Sequence, residues 1–327
     1  MTSLSVYGWS QGVGGTHWYR IAEPLRGLTL RGHYTNTGPT LDPYVIENHQ
    51  IILTHMLHEE SGSQAWQKIA RYGTNKLVID VDDDVWNFDS RTDTSRFWTD
   101  ERLLRLQNNI ACAHLVTTPN ERLAEILSEL NPNVAVLRNY VPDWLTREPR
   151  RMQESRKFTI GYQGARQHSV DLQTIGHDLW RVLGWSRTRL RIYGELNPLG
   201  LPPGKVVRVP WNADVPTYYR SLQMTVGIGP LVDIPFNYAK SNIRAVEYAA
   251  LGIPAILTDV PEYRRVVIEG VTGMLVPMNS PSGWYEHLEW AYRHPEEMRT
   301  MGKHARMASP QLTTEFNSYR WEDAYRG

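Results

Sequence analysis

The sequence predicts an α/β protein with two parallel sheets, each covered by helices. Short apolar runs alternate with segments of helical periodicity, which is the pattern of such sheets. The 327 residues exceed one ordinary core and fit two domains of similar size. At residues 138–153 the alternation stops: two prolines and four arginines occur there without apolar periodicity, as in an interdomain linker.

These observations predict a first domain over residues 1–145 and a second over residues 156–305. The strands of the first domain are predicted at residues 4–8, 50–54, 76–81, 114–117 and 133–137. Those of the second are predicted at residues 158–162, 188–193, 206–209, 224–228, 253–257 and 270–276. The main helices are predicted at residues 62–72, 99–111, 121–130, 170–183, 215–221, 241–251 and 282–305. The tail, residues 311–327, carries Phe316, Tyr319, Trp321 and Tyr325, which predict a final packed helix.

Composition limits the possible partners and the compartment. Lys plus Arg equals Asp plus Glu, 35 against 35, so the whole surface offers no electrostatic case for nonspecific binding to DNA or an anionic membrane. The single cysteine, Cys112, excludes an intramolecular disulfide and suits a reducing cytosol. The N-terminus lacks the features of a signal peptide, and no uncharged stretch approaches the roughly 18 residues that cross a bilayer. We therefore expect a cytoplasmic protein without a transmembrane segment.

A glycine-rich loop at residues 10–16 follows the first predicted strand and precedes a helix. In open α/β sheets, ligands bind at the carboxyl ends of strands. Glycine clusters often only form turns, but this context suits close approach of Gly14 and Gly15 to a phosphate or a sugar. Arg20, in the following helix, is interpreted equally well as a substrate ligand or as a surface salt-bridge partner.

A second loop leads into the predicted helix at residues 241–251. Ser241 or Asn242 can cap this helix, and its free N–H groups together with Lys240 would form an anion site suited to a pyrophosphate. Glu247 falls about two turns later and can accept hydrogen bonds from ribose hydroxyls. An ordinary amphipathic helix is the alternative. A basic residue at a helix start opposes the macrodipole, however, which favours a functional role for Lys240.

A run of carboxylates, residues 80–84, ends another predicted strand. Consecutive carboxylates repel one another, which favours function over structure. Asp80 with Asp82, or Asp82 with Asp84, would form a metal-binding DxD motif, which holds a divalent ion on the diphosphate of a donor. Alternatively, a carboxylate here orients or deprotonates an acceptor hydroxyl. His55, at the end of the preceding strand, is a further catalytic candidate.

The sequence EYAALGIPAI at residues 247–256, followed by TD at 258–259 and GVTGMLVP at 270–277, resembles the donor half of GT-B glycosyltransferases. The similarity is closest to the retaining, family 4-like group of nucleotide-sugar enzymes, and a weaker match extends over nearly the whole chain. This resemblance implies two Rossmann-like domains facing a central cleft, with the C-terminal helix at residues 311–327 packing back on the first domain. It also implies retention of anomeric configuration, and it favours the acceptor-side role for the carboxylates.

The chain departs from the family pattern at two places. The paired glutamates of the family have seven residues between them, and here Ala239 takes the earlier position. The usual arginine and lysine after the first donor strand are replaced by a loop with Arg166 and His168, similar to that of some bacterial and phage-encoded members. The resemblance therefore suggests Arg166, His168, Lys240 and Arg244 as ligands of the diphosphate, without a metal. It also suggests that Trp211 lies near the base, with core packing as the alternative.

Together these features predict a hexosyltransferase-type enzyme that transfers a sugar from a UDP- or GDP-sugar to an acceptor hydroxyl and requires no cofactor. A metal-dependent DxD enzyme, a sugar-nucleotide epimerase and a noncatalytic nucleotide- or carbohydrate-binding module are the alternatives. The acceptor is left open among proteins, glycans, lipids, small molecules and modified DNA. A phage-encoded member would act in the host cytoplasm.

Overall fold

The computed structural model describes residues 2–10, 12, 14–89, 93–148, 157–165, 168–196 and 200–327. It contains two six-stranded sheets, and every strand pairing within them is parallel. The strand orders are β2-β1-β3-β4-β5-β6 and β12-β11-β10-β7-β8-β9. The predicted fold class is confirmed.

The first sheet and its helices form the N-terminal unit. Its strands are β1 (Ser5–Trp9), β2 (Tyr34–Gly38), β3 (Ile51–His55), β4 (Lys76–Asp80), β5 (Leu115–Thr118) and β6 (Val134–Val136). Its helices are α1 (Gly15–His17), a π-helical turn (Trp18–Ala22), α2 (Glu23–Leu30), α3 (Pro43–Asn48), α4 (Glu60–Tyr72), α5 (Asp93–Phe97), α6 (Asp100–Ala111) and α7 (Glu121–Ser128). A short helix, α8 (Asp143–Arg147), follows this unit.

The second sheet and its helices form the C-terminal unit. Its strands are β7 (Phe158–Gln163), β8 (Thr188–Tyr193), β9 (Val206–Val209), β10 (Val226–Gly229), β11 (Ala255–Thr258) and β12 (Gly273–Val276). Its α-helices are α9 (Ser169–Thr174), α10 (Gly176–Leu183), α11 (Val215–Ser221), α12 (Pro235–Tyr238), α13 (Ile243–Leu251), α14 (Pro261–Arg264), α15 (Gly283–Arg293) and α16 (Pro295–Ala308). The 3₁₀ segments are Pro203–Lys205 and Ser309–Leu312, and the chain ends with α17 (Thr314–Asn317) and α18 (Tyr319–Arg326).

Two predicted helices are each divided in the structure. The helix predicted at residues 170–183 breaks at Ile175, which leaves the helical region with φ −99° and ψ 12° just before Gly176. The helix predicted at residues 282–305 breaks at His294, because Pro295 begins the next helix and has no N–H for the preceding turn. By contrast, the helix predicted at residues 121–130 begins at Glu121 as expected, and Asn120 caps it by accepting from the Leu123 N–H at 2.8 Å.

Strand β2 and helix α3 were not predicted from the sequence. Strand β2 reads YTNTG and lies at the edge of the first sheet with most of its side chains exposed. A polar edge strand has no apolar run to reveal it, whereas the buried strands beside it do.

The chain end packs on the N-terminal unit. Trp321 and Tyr325 are buried in one apolar cluster with Val6 and Ile21, and the Trp321 ring meets Tyr140 edge-on with 5.6 Å between centroids. The tail therefore completes the core beneath the first sheet. Among the described helices, none is both long and apolar enough to cross a membrane.

Each unit also contributes at least one residue to a buried apolar cluster of the other unit. Tyr19, from the N-terminal unit, is buried in a cluster with Tyr219 and Tyr248 of the C-terminal unit. In the opposite direction, Ala239 is buried in the apolar cluster of the N-terminal unit, where the Asn120 side chain donates to its carbonyl at 2.7 Å. These contacts bring the carboxyl ends of both sheets to a common space.

Candidate active site

A cavity of about 420 Å³ lies between the two units, bordered by loops that follow strands of both sheets. We call the two sides the N-terminal wall and the C-terminal wall. The N-terminal wall consists of Gly15, Thr16, Tyr19, Asp82, Asp83 and Asn139. The C-terminal wall consists of Gln163, Gly164, Ala165, His168, Tyr193, Gly194, Glu195, Trp211, Tyr218, Leu231, Lys240, Ser241, Ile243, Arg244, Glu247 and Tyr263. Such a position, at the carboxyl ends of parallel strands, is where open α/β sheets bind ligands.

The first carboxylate of the Asp-rich loop has a structural partner. Arg20 contacts Asp80 through two hydrogen bonds, of 2.8 Å from Nε and 2.7 Å from Nη2, and both side chains are buried. Arg20 also donates to the Leu137 carbonyl and the Asn139 side chain. Arg20 therefore anchors β4 from within, and neither role predicted for it from the sequence describes this buried pair.

Asp82 lines the cavity and pairs with His55. The His55 Nε2 atom lies 2.8 Å from Asp82 Oδ1, and each side chain is about one-fifth exposed (19%). Burial opposes charge on both groups, yet Asp82 raises the pKa of His55, while His55, Arg20 and Lys240 lower the pKa of Asp82. The pairing therefore favours the charged forms, an imidazolium and a carboxylate. His55 itself lies behind Asp82, outside the cavity lining.

The last two carboxylates point in different directions. Asp83 lines the cavity, where its Oδ1 atom lies 2.7 Å from Lys240 Nζ. Asp84 is buried away from the lining and accepts from Asn87 at 2.8 Å, and burial raises its pKa despite that bond. The repulsion expected from consecutive carboxylates is thus relieved by separate partners, and Asp83 rather than Asp84 joins Asp82 at the cavity.

The segment before α13 brings Lys240 and Ser241 to the cavity. The Lys240 ammonium contacts Asp83 and lies 3.8 Å from the Phe236 ring centre. Ser241 Oγ accepts from Asn139 at 3.1 Å.

The helix itself begins at Ile243, two residues later than predicted, and its start carries no side-chain cap among the described hydrogen bonds. Asn242 is buried outside the cavity lining, and its Oδ1 atom meets no hydrogen-bond donor among the described residues. The free N–H groups predicted beside Lys240 therefore lie near the cavity, but the predicted capping by Ser241 or Asn242 is not observed in the described contacts.

Arg244 and Glu247 reach the cavity from successive turns of α13. Arg244 is buried and donates to the Gln163 carbonyl at 2.8 Å and the Tyr263 hydroxyl at 3.1 Å. Glu247 is buried too, and it accepts from the Gln163 side chain at 2.7 Å and from the Tyr19 hydroxyl of the opposite wall. Burial raises the pKa of Glu247 to about 7, although both hydrogen bonds and Arg244 favour the charged form. Near neutral pH this carboxyl is therefore poised between its two protonation states.

His168 borders the cavity just before helix α9. Its Nδ1 atom lies 2.9 Å from Asp171 Oδ2, and the other oxygen of Asp171 accepts from the Val232 N–H and the Asn237 side chain. Burial lowers the pKa of His168, and Lys240 and Arg244 lower it further against the effect of Asp171. The neutral ring donates from Nδ1 to Asp171, which leaves Nε2 available. Arg166, predicted beside it, lies outside the described residues.

Trp211 and Gly15 of the glycine-rich loop lie close together at the border of the cavity. Trp211 is 38% exposed, and its ring packs on Tyr218 at 4.5 Å between centroids. A Cβ atom at Gly15 would lie only 3.3 Å from the Trp211 ring, so glycine allows this approach. Gly14 precedes α1 in an extended conformation and lies outside the lining.

Several lining residues were not singled out as ligands from the sequence. The tyrosines Tyr19, Tyr193, Tyr218 and Tyr263, with Gln163 and Asn139, surround the carboxyl and guanidinium groups of α13. Tyr193 ends one predicted strand and Asn139 comes two residues after another, and that position was the available signal for them. Within the described part of the chain, no group of three or more His, Cys, Asp or Glu residues is arranged to hold a metal ion.

Similarity to solved structures defines the class of fold. Sucrose-phosphate synthase from Thermosynechococcus elongatus is 14% identical, with a TM-score of 0.72 over 99% of this chain and 98% of that chain. Anabaena Alr3699/HepE, solved in complex with UDP-glucose, is 12% identical with a TM-score of 0.66 over 99% of each chain. A glycosyltransferase from Rickettsia africae is 10% identical with a TM-score of 0.66, covering 100% and 98%. The chain has the GT-B fold.

A family model and a curated relative each match part of the chain. Residues 234–308 match the family described as glycosyl transferases group 1. The D-inositol 3-phosphate glycosyltransferase of Gordonia bronchialis is 31% identical over 83 residues, which span 25% of this chain and 18% of that relative. These findings confirm the resemblance to GT-B glycosyltransferases and support a glycosyl transfer function. The narrower resemblance to family 4-like and phage-encoded enzymes stays a prediction.

Proposed function

We propose that the chain transfers a hexosyl group from a UDP- or GDP-sugar to an acceptor hydroxyl, with retention and without a metal. One observation carries the proposal: basic Lys240 and Arg244 meet Glu247 on one wall of a cavity whose opposite wall holds Asp82. Cations for a diphosphate, a carboxyl for sugar hydroxyls and an opposing carboxylate for an acceptor are the groups that this transfer needs. The UDP and UDP-glucose complexes of Anabaena Alr3699/HepE support a nucleotide-sugar donor.

On the C-terminal wall, Lys240 binds the donor diphosphate together with Ser241 and the N–H groups at the start of α13. Arg244 supplies positive charge from beneath, since its guanidinium already donates to Gln163 and Tyr263. His168 takes up a proton at Nε2 and donates from that atom to the same anion, to which Arg166 contributes a further cation. Glu247 accepts hydrogen bonds from donor hydroxyls, and Trp211 lies beside the base.

On the N-terminal wall, Asp82 accepts a hydrogen bond from the acceptor hydroxyl, and His55 keeps the carboxylate ionised and oriented. The reaction breaks the bond between the anomeric carbon and the diphosphate oxygen and forms a bond from that carbon to the acceptor oxygen. The acceptor proton passes to the departing diphosphate oxygen, and the nucleoside diphosphate is released. Gly14 and Gly15 allow the first loop to approach the sugar.

The proposal is tested by a donor screen. Thermal shift with UDP-, GDP- and ADP-sugars identifies the nucleotide, and mass spectrometry of candidate acceptors then detects the added hexose. EDTA should leave the transfer rate unchanged, whereas strict dependence on Mn²⁺ would favour the DxD alternative. Isomerised donor in the absence of any acceptor would point to an epimerase. Binding without turnover on any acceptor, and without hydrolysis of the donor, would point to a binding module.

The single cysteine suits a reducing compartment, and for that reason we propose action in the cytoplasm.

A further inference from the structure

The ion pair between Lys240 and Asp83 joins the two walls of the cavity. Its atoms Nζ and Oδ1 are 2.7 Å apart, and the side chains are only 12% and 25% exposed. Both residues line the space in which the proposed function puts the donor diphosphate. The Lys240 ammonium thus has a carboxylate partner that belongs to the protein itself.

A nucleoside diphosphate brings roughly two or three negative charges into this space, and an additional carboxylate beside it is repulsive. This repulsion is stronger in a partly buried site than in water, because the effective dielectric constant is lower there. Lys240 is a compact charge on a flexible stem, so it can turn from one oxygen anion to another. Asp83 and the diphosphate therefore compete for the same ammonium.

The backbone on either side of Lys240 is held to the N-terminal unit. The Asn120 side chain donates to the Ala239 carbonyl at 2.7 Å, and that of Asn139 donates to Ser241 Oγ at 3.1 Å. The Phe88 and Phe236 rings also pack across the units at 4.6 Å between centroids. Because these contacts flank the ion pair, exchange of partners at Lys240 requires rotation of two side chains rather than separation of the units.

We propose that Asp83 is a displaceable counterion that holds Lys240 in the empty site and releases it to the donor diphosphate. This inference rests on the proposed function, because it takes Lys240 as a diphosphate ligand. Asp83 lowers the affinity for the donor and for the nucleoside diphosphate product alike. When the product leaves, Asp83 pairs with Lys240 again, which promotes turnover.

The test is calorimetric titration of UDP and GDP into four forms of the 327-residue chain: wild type, Asp83→Asn, Lys240→Ala and the double variant. Asparagine keeps the shape of Asp83 and removes its charge. We expect Asp83→Asn to bind the nucleotide roughly tenfold more tightly, a change of about 1.4 kcal/mol. Asp259→Asn is the matched control, because Asp259 forms an ion pair with Arg264 outside the cavity lining.

In the Lys240→Ala background, loss of Asp83 should improve binding much less, because there is no ammonium left to release. An equal gain in both backgrounds would indicate simple repulsion and overturn the exchange. Weaker binding by Asp83→Asn would make Asp83 a positioning residue for Lys240, and unchanged binding would also overturn the inference. If Lys240→Ala binds UDP and GDP like the wild type, or if neither nucleotide binds the wild type, the proposed function fails instead.

Discussion

The Tyr19 hydroxyl, at the start of the N-terminal unit, donates a hydrogen bond across the cavity to the Glu247 carboxylate. This bond favours the charged form of Glu247 and opposes the effect of burial on its pKa. Tyr19 is in turn beside the Tyr219 hydroxyl, so two tyrosines of different units share one buried polar cluster. The protonation state of a proposed donor ligand therefore depends on a residue of the opposite wall.

Tyr19→Phe should raise the pKa of Glu247 above its present value of about 7. Loss of one hydrogen bond to a charged group corresponds to about one pH unit. We expect the pH at which donor affinity is half-maximal to move upward by that amount, measured by titration of the donor sugar nucleotide between pH 5.5 and 8.5. Tyr219→Phe, which leaves Tyr19 in place, should shift the profile less. Equal profiles for all three proteins would contradict the prediction.

Glu247→Gln should stabilise the protein most at high pH. The raised pKa means that the folded state holds the proton of Glu247 more tightly than the unfolded state does. The corresponding stability is fully present below the ordinary glutamate pKa and is lost as the pH rises to about 7. Relative to wild type, the variant should gain up to about 3 kcal/mol in free energy of unfolding at pH 8, and little at pH 4.5. Urea unfolding at both pH values measures it, and an equal difference at both would refute it.

Asp80→Asn should lower the free energy of unfolding, because Asp80 pairs with a buried arginine and does not line the cavity. It leaves the buried Arg20 guanidinium opposite a neutral amide, and removal of one partner of a buried pair typically costs about 3–5 kcal/mol. Denaturant unfolding is the measurement. Asp259→Asn breaks a pair in which Arg264 is exposed, and it should change the unfolding midpoint little. A wild-type midpoint for Asp80→Asn would show that the pair contributes nothing.

Binding of a nucleoside diphosphate should draw a proton onto His168. The pKa of His168 is lowered because the combined effect of burial, Lys240 and Arg244 exceeds the opposite effect of Asp171. The ring is therefore neutral at pH 7.5. A bound anion raises that pKa and favours the imidazolium. Calorimetry of UDP or GDP binding in buffers of different ionisation enthalpy should therefore report uptake of up to one proton. His168→Asn should abolish the uptake, while His177→Asn, which alters an exposed histidine, should retain it.

The pattern of the sequence was sufficient for elements whose signal is local. Buried strands such as β8 (Thr188–Tyr193) and the Asn120 cap of α7 follow from neighbouring residues alone. The polar edge strand β2 and the division of residues 170–183 at Ile175 do not, since nothing in their hydrophobic pattern marks them.

Most of the cavity contacts depend on residues far apart in the chain. Lys240 and Glu247 stand out in the sequence, but their partners Asp83 and Tyr19 come from the other unit and are fixed only when both sheets have packed. For the same reason, the divergence of Asp82, Asp83 and Asp84 towards three different partners cannot be read from three adjacent letters. Individual functional residues such as Lys240 and Glu247 could therefore be predicted from the sequence, whereas their pairing with Asp83 and Tyr19 could not.

The two crossings between the units lie side by side: Val141 donates its N–H to the Leu312 carbonyl, and its own carbonyl accepts from the Thr314 N–H. Beyond that second crossing, Trp321 and Tyr325 complete the core beneath the first sheet. During synthesis, the N-terminal unit therefore emerges from the ribosome first but lacks part of its own interior until residues 321–325 follow. The N-terminal unit is therefore synthesised first but completes its core last. While the C-terminal unit is being synthesised, the apolar residues that Trp321 and Tyr325 later cover remain accessible to a chaperone.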